Sequence, residues 1–231
     1  LAGGDDFVEA FAVAAVHAEY PPDCEAVLIV DLGGPREVVA ADRDECESVL
    51  ARQSGCAQVS VINSPRLVGI SGDRTTVQAT VQALDAAGRF TRLIPVRYPA
   101  HTGMVNQFRY EIEAAVRGRV RHQRFLDSDI DCIGSTLGER VTPAIGLAEY
   151  WFWNLRNTVR FDRAVAAAVA DQVDTFVELA EHPTLQFALQ ENLDVLAAEC
   201  ATVVGTSARQ ASDLAEFTRN LAVLAVNDID Y

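Results

Sequence analysis

The chain contains no lysine: all 19 of its basic residues are arginine. Any cationic contact it makes to a phosphate or a carboxylate must therefore use the planar guanidinium fork. An excess of positive charge is missing too, since 33 acidic residues leave a net −14 at pH 7. A polyphosphate partner needs a cationic footprint, so nucleic acid is not expected. Long apolar runs are absent. Hydrophobic residues make up 49% of the 231, yet no stretch approaches the ~20 residues of a membrane span. The opening LAGGDDFVEAF carries acids where a secretory leader carries positive charge, so a cytoplasmic site and no membrane partner are expected. Cysteine is sparse and scattered (Cys24, Cys46, Cys56, Cys132, Cys200). With no CxxC pair and no Cys/His cluster, no metal site is expected, and the thiols read as buried. No GxSxG occurs, the strand-to-helix turn that presents a nucleophilic serine.

What is present is a regular alternation of elements. Residues 5 to 20 read as a helix, with Phe7, Val8, Phe11 and Ala15 at helical spacing and acids at its front. Cys24 to Leu32 reads as a strand, Asp42 to Gln53 as a helix, and Val59 to Ile62 and Leu67 to Ile70 as strands around the turn NSPR. A helix from Thr75 to Ala87 ends at Gly88, and a strand from Arg89 to Val96 follows. The order β-α-β-β-α-β is the ferredoxin-like pattern. Beyond it a helix is expected over Met104 to Val116 and a strand over Ile130 to Ser135. Then come a helix over Asp162 to Val173, a strand over Asp174 to Ala180, a helix over Thr184 to Asn192, a strand over Ala201 to Ser207 and a helix over Ser212 to Val226. Such alternation predicts a mostly parallel sheet covered on both faces.

One histidine, His101, follows Pro95 and Pro99 at the junction between the ferredoxin-like unit and the next helix, where clefts form. YPAHTGMV around it resembles the YASHS or HAFHS segment of the acyltransferase domains of modular polyketide synthases. INSPRLVGISGD resembles that family's NGPRxxVxSGD, EYWFWNLRNTVRF its YWxxNLRxPVRF, and FVELAEHPTL its FVEVSPHPVL. The closing GTSARQ resembles its GTLRR.

The resemblance implies an α/β fold: a remnant helix over 1–22, a ferredoxin-like small subdomain over 23–97, and the C-terminal part of an α/β-hydrolase-like large subdomain over 98–231. It implies acyl transfer from acyl-CoA to the phosphopantetheine thiol of an acyl carrier protein through a serine acyl-enzyme, with no permanently bound cofactor. Its partners would be that carrier protein and adjacent ketosynthase and other synthase domains. His101 would be the general base, a role suited to a group that titrates near neutrality. Tyr98, Pro99 and Ala100 would occupy the acyl-selectivity positions, where Tyr98 resembles the methylmalonyl-type pattern and the other two depart from both common forms. Asn63 would lie beside the thioester, and main chain near Arg160 would accept a hydrogen bond from the histidine. His182 reads as structural, and His17 and His122 as surface residues.

Two family features have no counterpart: the GHSxG elbow, expected before Leu1, and the carboxylate-binding arginine expected on the helix FVEAFAVAAVHAEY. Their loss leaves a second expectation open, a non-catalytic acyltransferase-like structural or carrier-protein docking module.

Overall fold

The computed structural model describes residues 24–31, 43–93, 98–127, 131–180, 184–206 and 215–227. The expected helix 5–20, with His17, and the turn bearing His182 lie outside the described residues. So do the last three residues of the strand expected to end at Val96.

The ferredoxin-like order is realised by β1 (Cys24–Asp31), α1 (Arg43–Leu50), β2 (Ala57–Ser64), β3 (Leu67–Asp73), α2 (Arg74–Ala86) and β4 (Arg92–Leu93). The strands lie in the order β4-β1-β3-β2, and each neighbouring pair is antiparallel. Helix α2 starts where it does because Asp73 caps it. Its Oδ1 accepts the Thr76 N–H at 2.9 Å and its Oδ2 accepts the Cys56 N–H at 2.6 Å. The same carboxylate so ties the helix start to the beginning of β2. The helix ends through Gly88, whose φ of +77° suits a residue without a side chain, and the Arg89 N–H closes back onto the Leu84 carbonyl at 3.0 Å. Cys46, Val59, Ile62, Val68, Ile70, Val77 and Leu84 fill the core between the helices and the sheet. Cys46 is the buried thiol that composition led one to expect, whereas Cys56, Cys132 and Cys200 are exposed.

Two elements of the C-terminal layer depart from expectation. First, the helix expected over Met104 to Val116 begins as a tighter 3-10 turn, Gly103–Phe108, before becoming α3 (Arg109–Arg119). Second, the strand expected over Ile130 to Ser135, whose first residue lies outside the described ones, is β5 (Ile133–Gly134) among those described. Gly138, at φ +69°, turns the chain back into β6 (Glu139–Arg140) instead of letting it run on. The aromatic stretch, to which no element was assigned from sequence, is a helix, α4 (Leu147–Arg156), which buries Ala148, Phe152 and Leu155 at the i, i+4, i+7 spacing of one face.

After α4 come β7 (Val159–Arg160), α5 (Phe161–Ala170), β8 (Thr175–Glu178), α6 (Gln186–Val195), β9 (Thr202–Gly205) and α7 (Ala215–Asn227). The mostly parallel sheet does not appear among the described residues. Parallel pairing is confined to β8 with β9, and to β7, which adds itself to the free edge of β2 and makes the antiparallel sheet five-stranded. Helices α5 and α6 pack against β2, so this strand is shared by both layers. No helix among the described residues is long and apolar enough to cross a membrane.

Candidate active site

His101 enters on a tight turn. The Ala100 N–H donates to the Tyr98 carbonyl at 2.9 Å, and Thr102 then caps the 3-10 turn, its hydroxyl donating to the Pro99 carbonyl at 2.7 Å and accepting the Met104 N–H at 3.2 Å. Between these contacts His101 takes a φ of +59°. A side chain with a β-carbon occupies this left-handed region at a cost of about 1–3 kcal/mol, tolerated where the surroundings over-determine it. Here the determinant is the C-terminal end of α4. The His101 N–H donates to the Leu155 carbonyl at 2.7 Å, one of the carbonyls that a helix end leaves without an intrahelical partner.

The ring is oriented by the same helix end. His101 Nδ1 lies 3.0 Å from the carbonyl oxygen of Asn157, the residue that ends α4. A carbonyl can only accept, so the proton must sit on Nδ1 and the Nε2 lone pair is left free as a base. Burial is the largest influence on the ring and lowers its pKa from the ordinary 6.5, against the Asn157 and Asn154 carbonyls, which raise it. The half-buried imidazole is thus held neutral, with one nitrogen occupied and one open.

The other expected site residues are placed as follows. Pro99 and Ala100 are buried. Ala100 packs with Val105, Ile112, Phe152 and Leu155, and Tyr98 lies against that cluster half-buried. Asn63 contributes its carbonyl, which accepts from Asn192 Nδ2 at 2.6 Å. The Arg160 guanidinium donates to both oxygens of Asp162, at 2.9 and 2.7 Å, and the Arg160 main-chain N–H donates to the Ser135 carbonyl at 2.7 Å. Hence the main chain that meets the ring is that of Asn157, and the Arg160 side chain makes no hydrogen bond to His101. Arg160 instead lines a cavity of about 450 Å³ with Arg43, Gln58, Val59, Ile62 and Thr158.

No described serine hydroxyl is bonded to His101. Ser64 is buried and donates to Glu191 at 2.5 Å, and Ser71 is buried and donates to Ser60 at 2.8 Å. Sequence reasoning expected a main-chain acceptor near Arg160 without naming Asn157, and it missed Leu155, Gln58 and Thr158. Leu155 and Asn157 act through main chain, which carries no residue-type signal.

Residues 26–231 match the family model described as the acyl transferase domain. The chain is 34% identical over 183 residues to the erythronolide synthase EryA2 of Saccharopolyspora erythraea, covering 79% of this chain and 5% of that protein. It is 31% identical over 191 residues to the polyketide synthase GfsB of Streptomyces halstedii, covering 82% and 3%. Among solved structures it superimposes on a loading acyltransferase from the avermectin modular polyketide synthase with a TM-score of 0.74 and 28% identity, covering 94% of this chain and 63% of that one. The fold is also that of the malonyl CoA-acyl carrier protein transacylase from Clostridium perfringens, with a TM-score of 0.75 at 15% identity and coverage of 96% and 64%. The chain spans a small fraction of the curated relatives it matches and just under two thirds of these two solved chains.

Proposed function

The chain belongs to the acyl transferase domain family, and from that premise we propose that it carries the base of a polyketide-synthase acyltransferase, His101. On this reading residues 23–97 form the small subdomain and 98–231 the C-terminal part of the large one. The nucleophilic serine is carried on a segment outside these residues.

His101 Nε2 takes the proton of the serine hydroxyl as its oxygen attacks the thioester carbonyl of an acyl-CoA. It returns that proton to the sulfur as the C–S bond breaks and coenzyme A departs. In the second half-reaction Nε2 takes the proton of the phosphopantetheine thiol of an acyl carrier protein. The sulfur attacks the ester, and the serine oxygen leaves with the proton. The observation that carries this reading is the Nδ1–H···Asn157 contact, which fixes the tautomer and leaves Nε2 open. No resident cofactor is needed for either step.

Tyr98, Pro99 and Ala100 set acyl selectivity by shaping the turn before the base, and Asn63 and Arg160 border the substrate. The carrier protein and neighbouring ketosynthase and other synthase domains are the partners of this cytoplasmic assembly. In a chain extended to include the serine segment, His101→Ala should slow acyl-enzyme formation by roughly 10²–10⁴-fold. The exposed His122, substituted by Ala, should leave the rate near wild type. Intact-mass detection of the acyl-enzyme in rapid-quench samples measures both, and equal rates in the two variants would refute the assignment.

A further inference from the structure

The base and the carbonyl that orients it arrive on two segments far apart in sequence, and both are tied to one strand. Gln58, on β2, accepts the Gly103 N–H on its side-chain oxygen at 3.0 Å, two residues past His101. The Thr158 hydroxyl donates to the carbonyl of Val59 at 3.0 Å, one residue past Asn157. The chain then pairs with the same strand, Val159 opposite Val61 and Arg160 opposite Ile62. Strand β2 is a firm reference, since Val59 and Ile62 are buried in the core beneath α1 and α2. Gln58 and Thr158 themselves are half-buried and border the 450 Å³ cavity, so neither is part of that core.

We propose that Gln58 and Thr158 are positioning residues for His101. Gln58 fixes the turn that holds the imidazole and Thr158 fixes the carbonyl that selects its tautomer, each measured off adjacent residues of β2. The inference rests on the reading of His101 as the base. Neither residue touches a reacting atom. A side chain in the left-handed region has no intrinsic preference to stay there, so the tethers on either side of it set its direction. Because both run to one strand, a displacement of β2 carries ring and carbonyl together, whereas loss of either tether lets them move apart.

The test reads the ring directly. In the full 231-residue chain labelled with ¹⁵N-histidine, the ring nitrogens of His101, assigned with His101→Ala, should report a single Nδ1–H tautomer. Gln58→Met and Thr158→Val, which remove the acceptor and the donor, should each give a mixture of tautomers. Gln58→Glu and Thr158→Ser, which retain them, should restore the wild-type spectrum.

In the chain extended by the serine segment, the two deletions should lower kcat for acyl-enzyme formation by up to roughly 10²-fold at unchanged KM, as a misplacement of about 1 Å does. An unchanged tautomer in both deletion variants would overturn the proposal, as would conservative variants that lose as much as the deletions. Collapse of both deletion variants with their conservative partners folded would show residues that hold the fold and not the ring, and would overturn it too. If His101→Ala leaves transfer intact, the functional reading fails, while the ring spectra still decide the positioning.

Discussion

At the scale of the residue, His101 is a neutral imidazole whose two nitrogens have been given different work. Burial lowers its pKa from 6.5 by more than the Asn157 and Asn154 carbonyls raise it. The unfolded chain therefore binds this proton first as pH falls. Its contribution to stability is fully present above pH 6.5 and is lost as pH drops through the lower, folded value. On the proposed role of His101 as the base, the same sign means that Nε2 stays available below pH 6.5. We predict that the acid limb of kcat/KM in the serine-extended chain breaks below 6.5, as read from a pH–rate profile for acyl-enzyme formation. A break at or above 6.5 would contradict the burial argument. YPAH and its neighbouring motifs single out this histidine in the sequence. Its left-handed backbone was not legible there, because histidine carries no signal for positive φ comparable to glycine's; a main-chain acceptor near Arg160 was expected, but which residue supplies it was not legible, because every residue type has the same carbonyl.

At the scale of the element, the α4 helix and the short β5–β6 hairpin beside it set how tightly the site is framed. A β-carbon on Gly134 would fall 2.5 Å from the Tyr150 hydroxyl and 2.9 Å from Val141 Cγ2. Gly134→Ala should therefore destabilise the chain by about 1–3 kcal/mol, the usual penalty of overpacking. Gly118→Ala, in α3 with nothing within 4 Å of the added carbon, should stabilise it by up to about 1 kcal/mol. Urea unfolding of the two variants should move their midpoints in opposite directions, and a common direction would rule out the steric account. The βαββαβ unit was legible because Asp73, Pro65 and Gly88 punctuate it at positions whose chemistry is unambiguous. Helix α4 was not, because four consecutive aromatics, Tyr150 to Trp153, obscure the period and the segment reads as core in either conformation. The β5 strand was overestimated at its C-terminal end because Ser135 already belongs to the turn that Gly138 closes, and that glycine lies beyond the apolar run itself.

At the scale of the whole molecule, the β2–β3 hairpin is clasped by α6. Glu191 accepts from the buried Ser64 hydroxyl and pairs through its other oxygen with Arg66, while Asn192 holds the Asn63 carbonyl. Removing the carboxylate strands the Ser64 hydroxyl, whereas Arg66, 41% exposed, can turn to water. Glu191→Ala should cost about 1–3 kcal/mol for the unpaired buried donor. Glu191→Gln, which keeps an acceptor, should cost less, and equal losses in thermal or urea unfolding would show that the clasp contributes only packing. No spacing rule could have revealed this contact, since its partners lie far apart in the chain and carry no motif. The same long reach has a temporal side. Strand β7 joins β2 across about a hundred intervening residues, so the chain must close a long loop before that pairing offers any return. The hairpins and helices on either side form from local contacts and precede it. On the reading of His101 as the base, the carbonyl that orients it is expected to reach its place late, so that a half-folded chain contains the histidine before it contains the base.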